Sequence, residues 1–169
     1  KTALRPEATV IGTENWRAYQ LLVFGVPVEY RDADGTLRNV RARLVDWADP
    51  RANDLLAVNQ FTVVGKKERR PDVVLFVNGL PMGLFELKKP EDEDATVHGA
   101  YKQVQTYKKQ IPALFTWNQA VIVSDGFLAR LGATRLGSPG IFGYTGGHGA
   151  SSSPLAWSRA TISRNGSIG

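Results

Sequence analysis

The sequence contains no cysteine, so disulfide frameworks, thiolate zinc clusters and cysteine nucleophiles are all excluded. A reducing compartment is compatible with this absence, and we predict a cytoplasmic protein. Long apolar runs are also missing, since the longest, residues 73–77, is far below the roughly 20 residues that cross a bilayer. We therefore predict no membrane partner. The sequence also lacks a phosphate-binding loop of the Gly-x-x-x-x-Gly-Lys-Ser/Thr type, which predicts no ATPase activity in these residues.

Acidic residues are absent from the last 44 positions, although the 169-residue chain has 16 of them. Gly and Ser occupy 15 of the 33 positions from 137 to 169, a composition that buries little apolar surface. We predict a folded domain over residues 1–136. The tail over 137–169 is expected to be irregular, either disordered or non-native, for example a translation in the wrong reading frame. The net charge of +5 permits a polyanionic partner without requiring one.

The apolar pattern of residues 1–136 alternates between helix and strand. Apolar residues spaced three and four apart predict helices over 13–24 and from 91 to about 110. The Asp34-Gly35 step predicts a hairpin turn. Strands are predicted over 28–31, 37–47, 60–64, 72–77, 82–88 and 120–123. This order predicts an α/β domain with a mixed central sheet flanked by helices.

Three polar residues of the hairpin predicted over 72–88 could share one face of the sheet. Glu86 and Lys88 are two apart on a strand and therefore point the same way. Asp72 joins them if the connection has an odd number of residues or if a β-bulge is present. An even-numbered connection without a bulge puts Asp72 on the opposite face. The predicted connection is residues 78–81, so the sequence leaves the register open.

Two carboxylates side by side in a half-buried sheet repel each other unless a cation lies between them. Oxygen ligands without a thiolate or a nearby histidine favour a hard ion, Mg²⁺ first and Mn²⁺ second. Such an ion binds a phosphate oxygen and helps to ionise a water, while Lys88 holds the water or the transition state. A Glu-x-Lys pair is also common as a surface salt bridge, so its spacing alone leaves a structural role open.

The same residues carry a resemblance to a known family. Pro71-Asp72 followed by Glu86-Leu87-Lys88 is the pattern of the PD-(D/E)xK nucleases. The surrounding sequence resembles the amino-terminal nuclease domain of the R subunit of type I restriction-modification enzymes, over about residues 10–132. The segments that carry this resemblance are 59–63, 70–81, 100–108, 111–115 and 124–126. The resemblance implies a restriction-endonuclease-like core, and the family's additional upstream helix is expected to be missing here.

The resemblance also implies roles for individual residues. Asp72 and Glu86 would bind the metal together with the Leu87 backbone carbonyl, and Lys88 would be the catalytic lysine. Gln103 and Tyr107 match the family's Gln-x-x-x-Tyr motif, which supports DNA contact and cleavage. Residues four apart do share a helix face, although Tyr107 also fits the apolar stripe of that helix and a packing role stays open.

A basic run before the predicted hairpin is a candidate contact for DNA phosphates, and a solvated turn is the alternative interpretation. Its members are Lys66, Lys67, Arg69 and Arg70.

The function that the resemblance implies is Mg²⁺-dependent hydrolysis of double-stranded DNA by an activated water, without a covalent enzyme intermediate. In the family, cleavage follows ATP-driven translocation in a complex with modification and specificity subunits. ATP would bind in motor domains that these residues do not include. Two alternatives stay open: a different PD-(D/E)xK nuclease of the repair or resolving type, and a truncated remnant that binds DNA without cutting it.

Overall fold

The computed structural model describes residues 10–89 and 96–134 in full, together with the backbone of residues 141–144 and 161–163. The α-helices in these residues are α1 (Ile11–Phe24) and α2 (Val97–Gln110), and short 3₁₀ helices lie at Pro50–Ala52 and Pro112–Phe115. The strands are β1 (Val26–Arg31), β2 (Leu37–Ala42), β3 (Leu55–Asn59), β4 (Val63–Val64), β5 (Glu68–Arg69), β6 (Val73–Val77), β7 (Leu80–Leu87), β8 (Ala120–Ser124), β9 (Ala129–Gly132), β10 (Ile141–Tyr144) and β11 (Thr161–Ser163).

Seven of the described strands form one mixed sheet in the order β10-β9-β8-β7-β6-β3-β11. Its neighbouring strands are antiparallel except for two parallel pairs, β7 with β8 and β3 with β11. Two further hairpins, β1–β2 and β4–β5, stand apart from this sheet. The predicted α/β class with a mixed sheet is confirmed. In the described ranges, neither helix has the length and apolar character needed to cross a membrane.

The main core lies between α2 and the middle of the central sheet. Val74, Leu84 and Val121 lie next to one another on β6, β7 and β8, and all three are buried. Ala100 and Val104 of α2 pack against them. Each buried Val or Leu contributes about 1.5–3 kcal/mol to folding, so this core fixes which face of each strand turns toward α2.

Helix α1 is bound to the loop that leads into β8. The Asn15 side chain is 1% exposed, and its amide donates to the carbonyls of Phe115, Thr116 and Asn118 at 3.0, 3.2 and 2.6 Å. One face of α1 packs into a second apolar cluster made of Ala18, Leu22, Val45 and Trp117. Helix α1 therefore belongs to the same packed unit as the sheet, and the helix predicted over 13–24 is confirmed with its start at Ile11.

The strand predicted over 60–64 is the main error in the secondary-structure prediction. The long strand in this region is β3, at residues 55–59, and the chain leaves the extended conformation at Gln60, which has φ +53°. Only the two residues of β4 are extended within the predicted range. Glutamine seldom adopts a positive φ, so the sequence gives no signal for a break at this position. The stretch predicted over 37–47 also ends early, because β2 stops at Ala42.

The second predicted helix begins later than expected. Thr96 has extended dihedral angles and its hydroxyl accepts from the Gly99 N–H at 3.0 Å, which is the geometry of an N-cap. Helix α2 therefore starts at Val97, and the acidic segment predicted as its first turn, residues 91–94, lies outside the described residues. Most of the tail predicted over 137–169 also lies outside them.

Candidate active site

A β-bulge in the β6–β7 hairpin decides the geometry of the site. The turn between the strands has two residues, Asn78 and Gly79, both with positive φ, as in a type I′ turn. Near the turn, Phe76 pairs with Pro81, but Leu75 pairs with Gly83, so Met82 is the extra residue. The connection is therefore even-numbered with a bulge, which is one of the two conditions that put Asp72 opposite Glu86.

The register beyond the bulge brings the acidic residues and the lysine together. Val73 pairs with Phe85, which places Asp72 across from Glu86 at the next position. The Asp72 Oδ2 atom accepts from the Leu87 N–H at 2.7 Å, so its carboxylate lies against β7. Lys88 Nζ lies 3.8 Å from Glu86 Oε1. Asp72, Glu86 and Lys88 thus lie at the same end of two adjacent strands, as predicted for a bulged hairpin.

Glu86 is a buried carboxylate with an incomplete set of partners. Its residue is 3% exposed, and its Oε2 atom has no hydrogen-bond partner among the described residues. Burial raises the pKa of Glu86 from 4.5 to about 7, and the negative charge of Asp72 adds to the rise. The Tyr107 hydroxyl and the Lys88 ammonium lower the pKa by less. Ionisation of both carboxylates would place two negative charges beside the one ammonium of Lys88.

Tyr107 reaches the site from α2. Its side chain is buried, and burial raises the pKa of Tyr107 to about 12, so the hydroxyl keeps its proton. The hydroxyl accepts from Gln103 Nε2 at 3.2 Å, one helical turn earlier. The structure therefore joins the two residues of the Gln-x-x-x-Tyr motif in one hydrogen bond beside Glu86. The hydroxyl also remains a donor toward the carboxylates.

The β8–β9 turn supports the site from the other side. The Lys88 N–H donates to the Ser124 carbonyl at 2.8 Å, which extends the parallel pairing of β7 and β8 past Leu87. The Asp125 Oδ1 atom accepts from the backbone N–H of Leu128 at 2.8 Å and of Phe127 at 3.1 Å, and hydrogen bonds from the backbone lower the pKa of Asp125. Asp125 thereby holds the turn that follows Ser124 in a fixed conformation.

The predicted basic residues differ in their exposure and contacts. Lys66 and Lys67 are exposed between β4 and β5, where the backbone N–H of Lys66 donates to the Gln110 carbonyl at the end of α2. Arg69 already bonds to the Gln110 side chain, and Arg70 lies 3.6 Å from Glu68. Arg69 is therefore half-buried and bonded to an acceptor, whereas Lys66, Lys67 and Arg70 are exposed, the last in an ion pair at the surface with its side chain 60% exposed.

Gln60 is a site residue that the sequence reasoning missed, because it was assigned to a strand. Its side-chain amide donates to Asp72 Oδ1 at 2.9 Å. In the described ranges, the structure has no group of three or more His, Cys, Asp or Glu side chains placed to hold a metal. A cation here would therefore have two carboxylates, Asp72 and Glu86, and would take its other ligands from backbone oxygen and water.

The mixed sheet with α2 across it, and a bulged hairpin that carries Asp and Glu-x-Lys on one face, define an α/β domain of the restriction-endonuclease-like fold. Sequence comparison is consistent with this class, because the family model described as type I restriction enzyme R protein N terminus matches residues 2–139. The chain belongs to this family of type I restriction enzyme R protein N-terminal domains. The family resemblance inferred from the motifs is confirmed.

The relatives are endonuclease subunits of type I restriction enzymes. The HindI subunit of Haemophilus influenzae is 42% identical over 135 residues, which are 79% of this chain and 13% of that protein. The putative MjaIXP subunit of Methanocaldococcus jannaschii is 35% identical over 125 residues, 72% of this chain and 11% of the relative. The EcoprrI subunit of Escherichia coli is 31% identical over 97 residues, 55% of this chain and 29% of the relative. The chain thus spans a small part of each of these proteins.

Proposed function

We propose that this domain is the endonuclease domain of a type I restriction-modification R subunit and that it hydrolyses phosphodiester bonds of double-stranded DNA with Mg²⁺. The observation that carries the proposal is the convergence of Asp72, Glu86 and Lys88 on one face of adjacent strands, with one Glu86 oxygen unpartnered. A surface salt bridge does not account for this arrangement, since the Glu86 side chain is 5% exposed.

The chemistry of the donor set fits a small hard cation. Asp72 and Glu86 would hold it, and the unpartnered Oε2 atom of Glu86 is a buried acceptor that a cation would satisfy. Mg²⁺ is commonly bound by one or two carboxylates and several waters, so a third acidic side chain is not needed. The Leu87 carbonyl is the proposed further ligand, because N–H and C=O of one strand residue point to the same side and the Leu87 N–H meets Asp72. Mn²⁺ would suit the same oxygen ligands.

Each side chain has a proposed part in the reaction. The cation, when bound, would polarise a phosphate oxygen and lower the pKa of a water. Lys88 would hold the attacking water or balance the charge that develops on phosphorus, since its ammonium is at the edge of the site and 29% exposed. The water oxygen then bonds to phosphorus while the bond to the leaving deoxyribose oxygen breaks, with no covalent enzyme intermediate.

Gln103 and Tyr107 would keep this arrangement in place and assist contact with DNA. The Tyr107 hydroxyl lies near Glu86 and is held by Gln103 at 3.2 Å, so the pair orders the buried side of the site. A packing role alone would not use the hydroxyl. We propose that both residues support cleavage through the orientation of Glu86.

The DNA would reach the site past the β4–β5 turn. Lys66 and Lys67 project from this turn, which is bonded to the end of α2. Two exposed ammonium groups there would neutralise phosphates on one strand, with an affinity that falls as salt rises. Arg69 would contribute less to DNA contact, because its half-buried guanidinium is bonded to Gln110. Arg70 stays a candidate contact, since its ion pair with Glu68 is exposed and such pairs are weak.

The remaining activities belong to the proposed whole subunit. The aligned part is 13% and 11% of two of the relatives, so ATP binding and ATP-driven translocation would reside in other parts of such a protein. Modification and specificity subunits would be its partners, and the cytoplasm, where DNA is found in prokaryotic cells, would be its location.

A plasmid nicking assay with a matched pair of lysine variants tests the proposal. The 169-residue chain and the complete R subunit complex are incubated with plasmid and Mg²⁺ or Mn²⁺, next to Lys88→Ala and Lys89→Ala. Lys89 is the next residue and is exposed, and its side chain lies on the opposite face if the strand continues. We expect cleavage to require the metal, to disappear in Lys88→Ala and to persist in Lys89→Ala.

Two results would contradict the proposal. Equal cleavage by Lys88→Ala and Lys89→Ala would remove Lys88 from the site. DNA binding without cleavage by both the 169-residue chain and the complete complex, with either metal, would favour a domain that binds DNA without cutting it.

A further inference from the structure

Gln60 adopts a backbone conformation that glutamine seldom takes. In the described part of the chain, two non-glycine residues have positive φ, Gln60 at +53° and Asn78 at +50°. Asn78 lies in the β6–β7 turn, where a type I′ geometry requires a positive φ and asparagine tolerates it. No hairpin turn requires it at Gln60, which directly follows β3. Strained conformations of this kind persist where the surroundings hold them, and they cluster at functional sites.

Gln60 donates two hydrogen bonds to Asp72. Its backbone N–H donates to the Asp72 carbonyl at 2.9 Å, and its side-chain Nε2 donates to Asp72 Oδ1 at 2.9 Å. The other carboxylate oxygen, Oδ2, accepts from the Leu87 N–H at 2.7 Å. Each oxygen of Asp72 therefore has one donor, and the two donors come from opposite neighbours, the end of β3 and β7. A rotation of the carboxylate would break both bonds.

We propose that Gln60 is a positioning residue for Asp72, and that its amide orients the carboxylate for the cation under the proposed nuclease function, on which this inference rests. With one hydrogen bond on each oxygen, the orientation of the Asp72 carboxylate is fixed while each oxygen keeps a lone pair for a cation. Groups that orient a metal ligand from behind commonly change metal affinity or activity 10- to 100-fold when they are removed.

The backbone bond of Gln60 and its side-chain bond have separable roles. The N–H to carbonyl bond continues the pairing between β3 and β6 and is available to any residue except proline. The side-chain amide adds nothing to that pairing and contacts the carboxylate alone. Gln60→Met keeps the length and the backbone preference but removes the donor. Gln60→Gly also removes the donor, and glycine suits a positive φ.

The experiment measures Mn²⁺ and Mg²⁺ binding to the 169-residue chain by calorimetry, with thermal unfolding of the metal-free proteins beside it. We expect both Gln60 variants to bind Mn²⁺ about 10-fold more weakly than the wild type. Gln60→Gly should melt no lower than Gln60→Met, because it relieves the backbone. Gln119→Met is the control: the Gln119 amide donates to the Trp117 carbonyl, and its backbone N–H bonds to Met82 at the far end of β7. It should retain wild-type affinity.

Asp72→Asn separates this inference from the proposed function. Unchanged Mn²⁺ affinity in both Gln60 variants, combined with weaker binding by Asp72→Asn, would overturn the positioning role and leave the metal site standing. Equal binding by the wild type and Asp72→Asn, or no binding by the wild type, would overturn the proposed metal site itself. Weaker binding in the Gln119 control to the same extent would also contradict a specific role for Gln60.

Discussion

The β1–β2 and β6–β7 hairpins have similar lengths and both turn at glycine-containing segments, yet only one of them holds a candidate site. β1 and β2 pair without a register shift from Val26–Ala42 to Arg31–Leu37, and nearly all of their residues are exposed. β6 and β7 contain one bulge and lie in the middle of the central sheet. A regular, exposed hairpin leaves its charged groups in water. A buried, bulged hairpin forces an aspartate and a glutamate together, which is what a cation site requires.

A one-residue shift of the register beyond the bulge is expected to have the largest effect. Insertion of one alanine between Leu84 and Phe85 would pair Val73 with the new residue and Asp72 with Phe85, so that Asp72 and Glu86 would point to opposite faces. We expect cleavage and Mg²⁺-dependent stabilisation to be lost, as measured by plasmid nicking and thermal unfolding. Met82→Ala keeps the bulge and should retain cleavage, although truncation of a partly buried methionine destabilises the domain by about 2 kcal/mol.

Insertion of one alanine between Val40 and Arg41 is the matched change in the β1–β2 hairpin, and it should leave cleavage intact. Cleavage at the wild-type rate by the variant with an alanine inserted after Leu84 would show that the register of β6 and β7 does not build the site.

The next largest effect is expected from single truncations in the β6–β7 hairpin. Asp72→Ala, Glu86→Ala and Lys88→Ala should each lower cleavage by the complete enzyme about 100-fold or more and leave ATP hydrolysis unchanged. Each one removes a charge that the proposed reaction uses, while the ATPase would lie elsewhere in the subunit. Arg38→Ala breaks an exposed 2.7 Å ion pair with Asp32 in the β1–β2 hairpin and should have no effect. Cleavage retained by any of the three variants would exclude that residue from the site.

The pH dependence of the domain's stability should come from Glu86 in the β6–β7 hairpin and not from the β1–β2 hairpin. The folded protein keeps the Glu86 proton up to about pH 7, whereas an ordinary glutamate releases it near 4.5. The metal-free domain should therefore lose stability as the pH rises from 4.5 to 7, by roughly 3 kcal/mol at about 1.4 kcal/mol per pKa unit. Urea unfolding in EDTA at pH 5, 7 and 8 measures this loss.

Glu86→Gln should abolish this pH dependence, and Glu29→Gln, an exposed change in β1, should preserve it. Addition of Mg²⁺ above pH 7 should stabilise the wild type and not Glu86→Gln. A flat stability profile of the wild type between pH 5 and 8 would contradict the raised pKa.

The smallest expected effect concerns DNA affinity. Lys66→Ala and Lys67→Ala should each lower the slope of log affinity against log salt by about 1, because each lysine would release one counterion. Arg41→Ala in β2 is the control, since its side chain already donates to the Gly25 carbonyl at 3.3 Å. Titration of a labelled duplex between 50 and 200 mM salt, about the range where such slopes are resolved, measures the change. An unchanged slope in both lysine variants would show that this turn is solvated and does not contact DNA phosphates.

The two hairpins also differ in how far the sequence predicts them. The Asp34-Gly35 step correctly predicts the turn between β1 and β2, in which Asp32 accepts from the Thr36 N–H. For β6–β7 the alternation of residues predicts that Glu86 and Lys88 share a face. It does not predict whether Asp72 joins them, because a bulge at Met82 has no distinctive residue type. The family motif identified the three residues, and the structure supplied the register.

Gln60 shows a second limit of prediction from sequence. Its conformation results from contacts with Asp72, 12 positions away, and not from the preferences of its own neighbours. A period-two pattern therefore assigned residues 60–64 to a strand and missed β3 just before it. The start of α2 was missed for a related reason, because charge near a helix start predicts a helix and not its first residue.

The triple hydrogen bond of Asn15 has a consequence for the boundaries of the domain. A shortened protein beginning after Phe24 would leave the carbonyls of Phe115, Thr116 and Asn118 without their common donor, and an unpaired buried acceptor costs about 1–3 kcal/mol. The same loop leads into β8, whose end supports Lys88. Helix α1 thus stabilises the loop that precedes β8, and its removal should lower both the stability of the domain and the proposed cleavage.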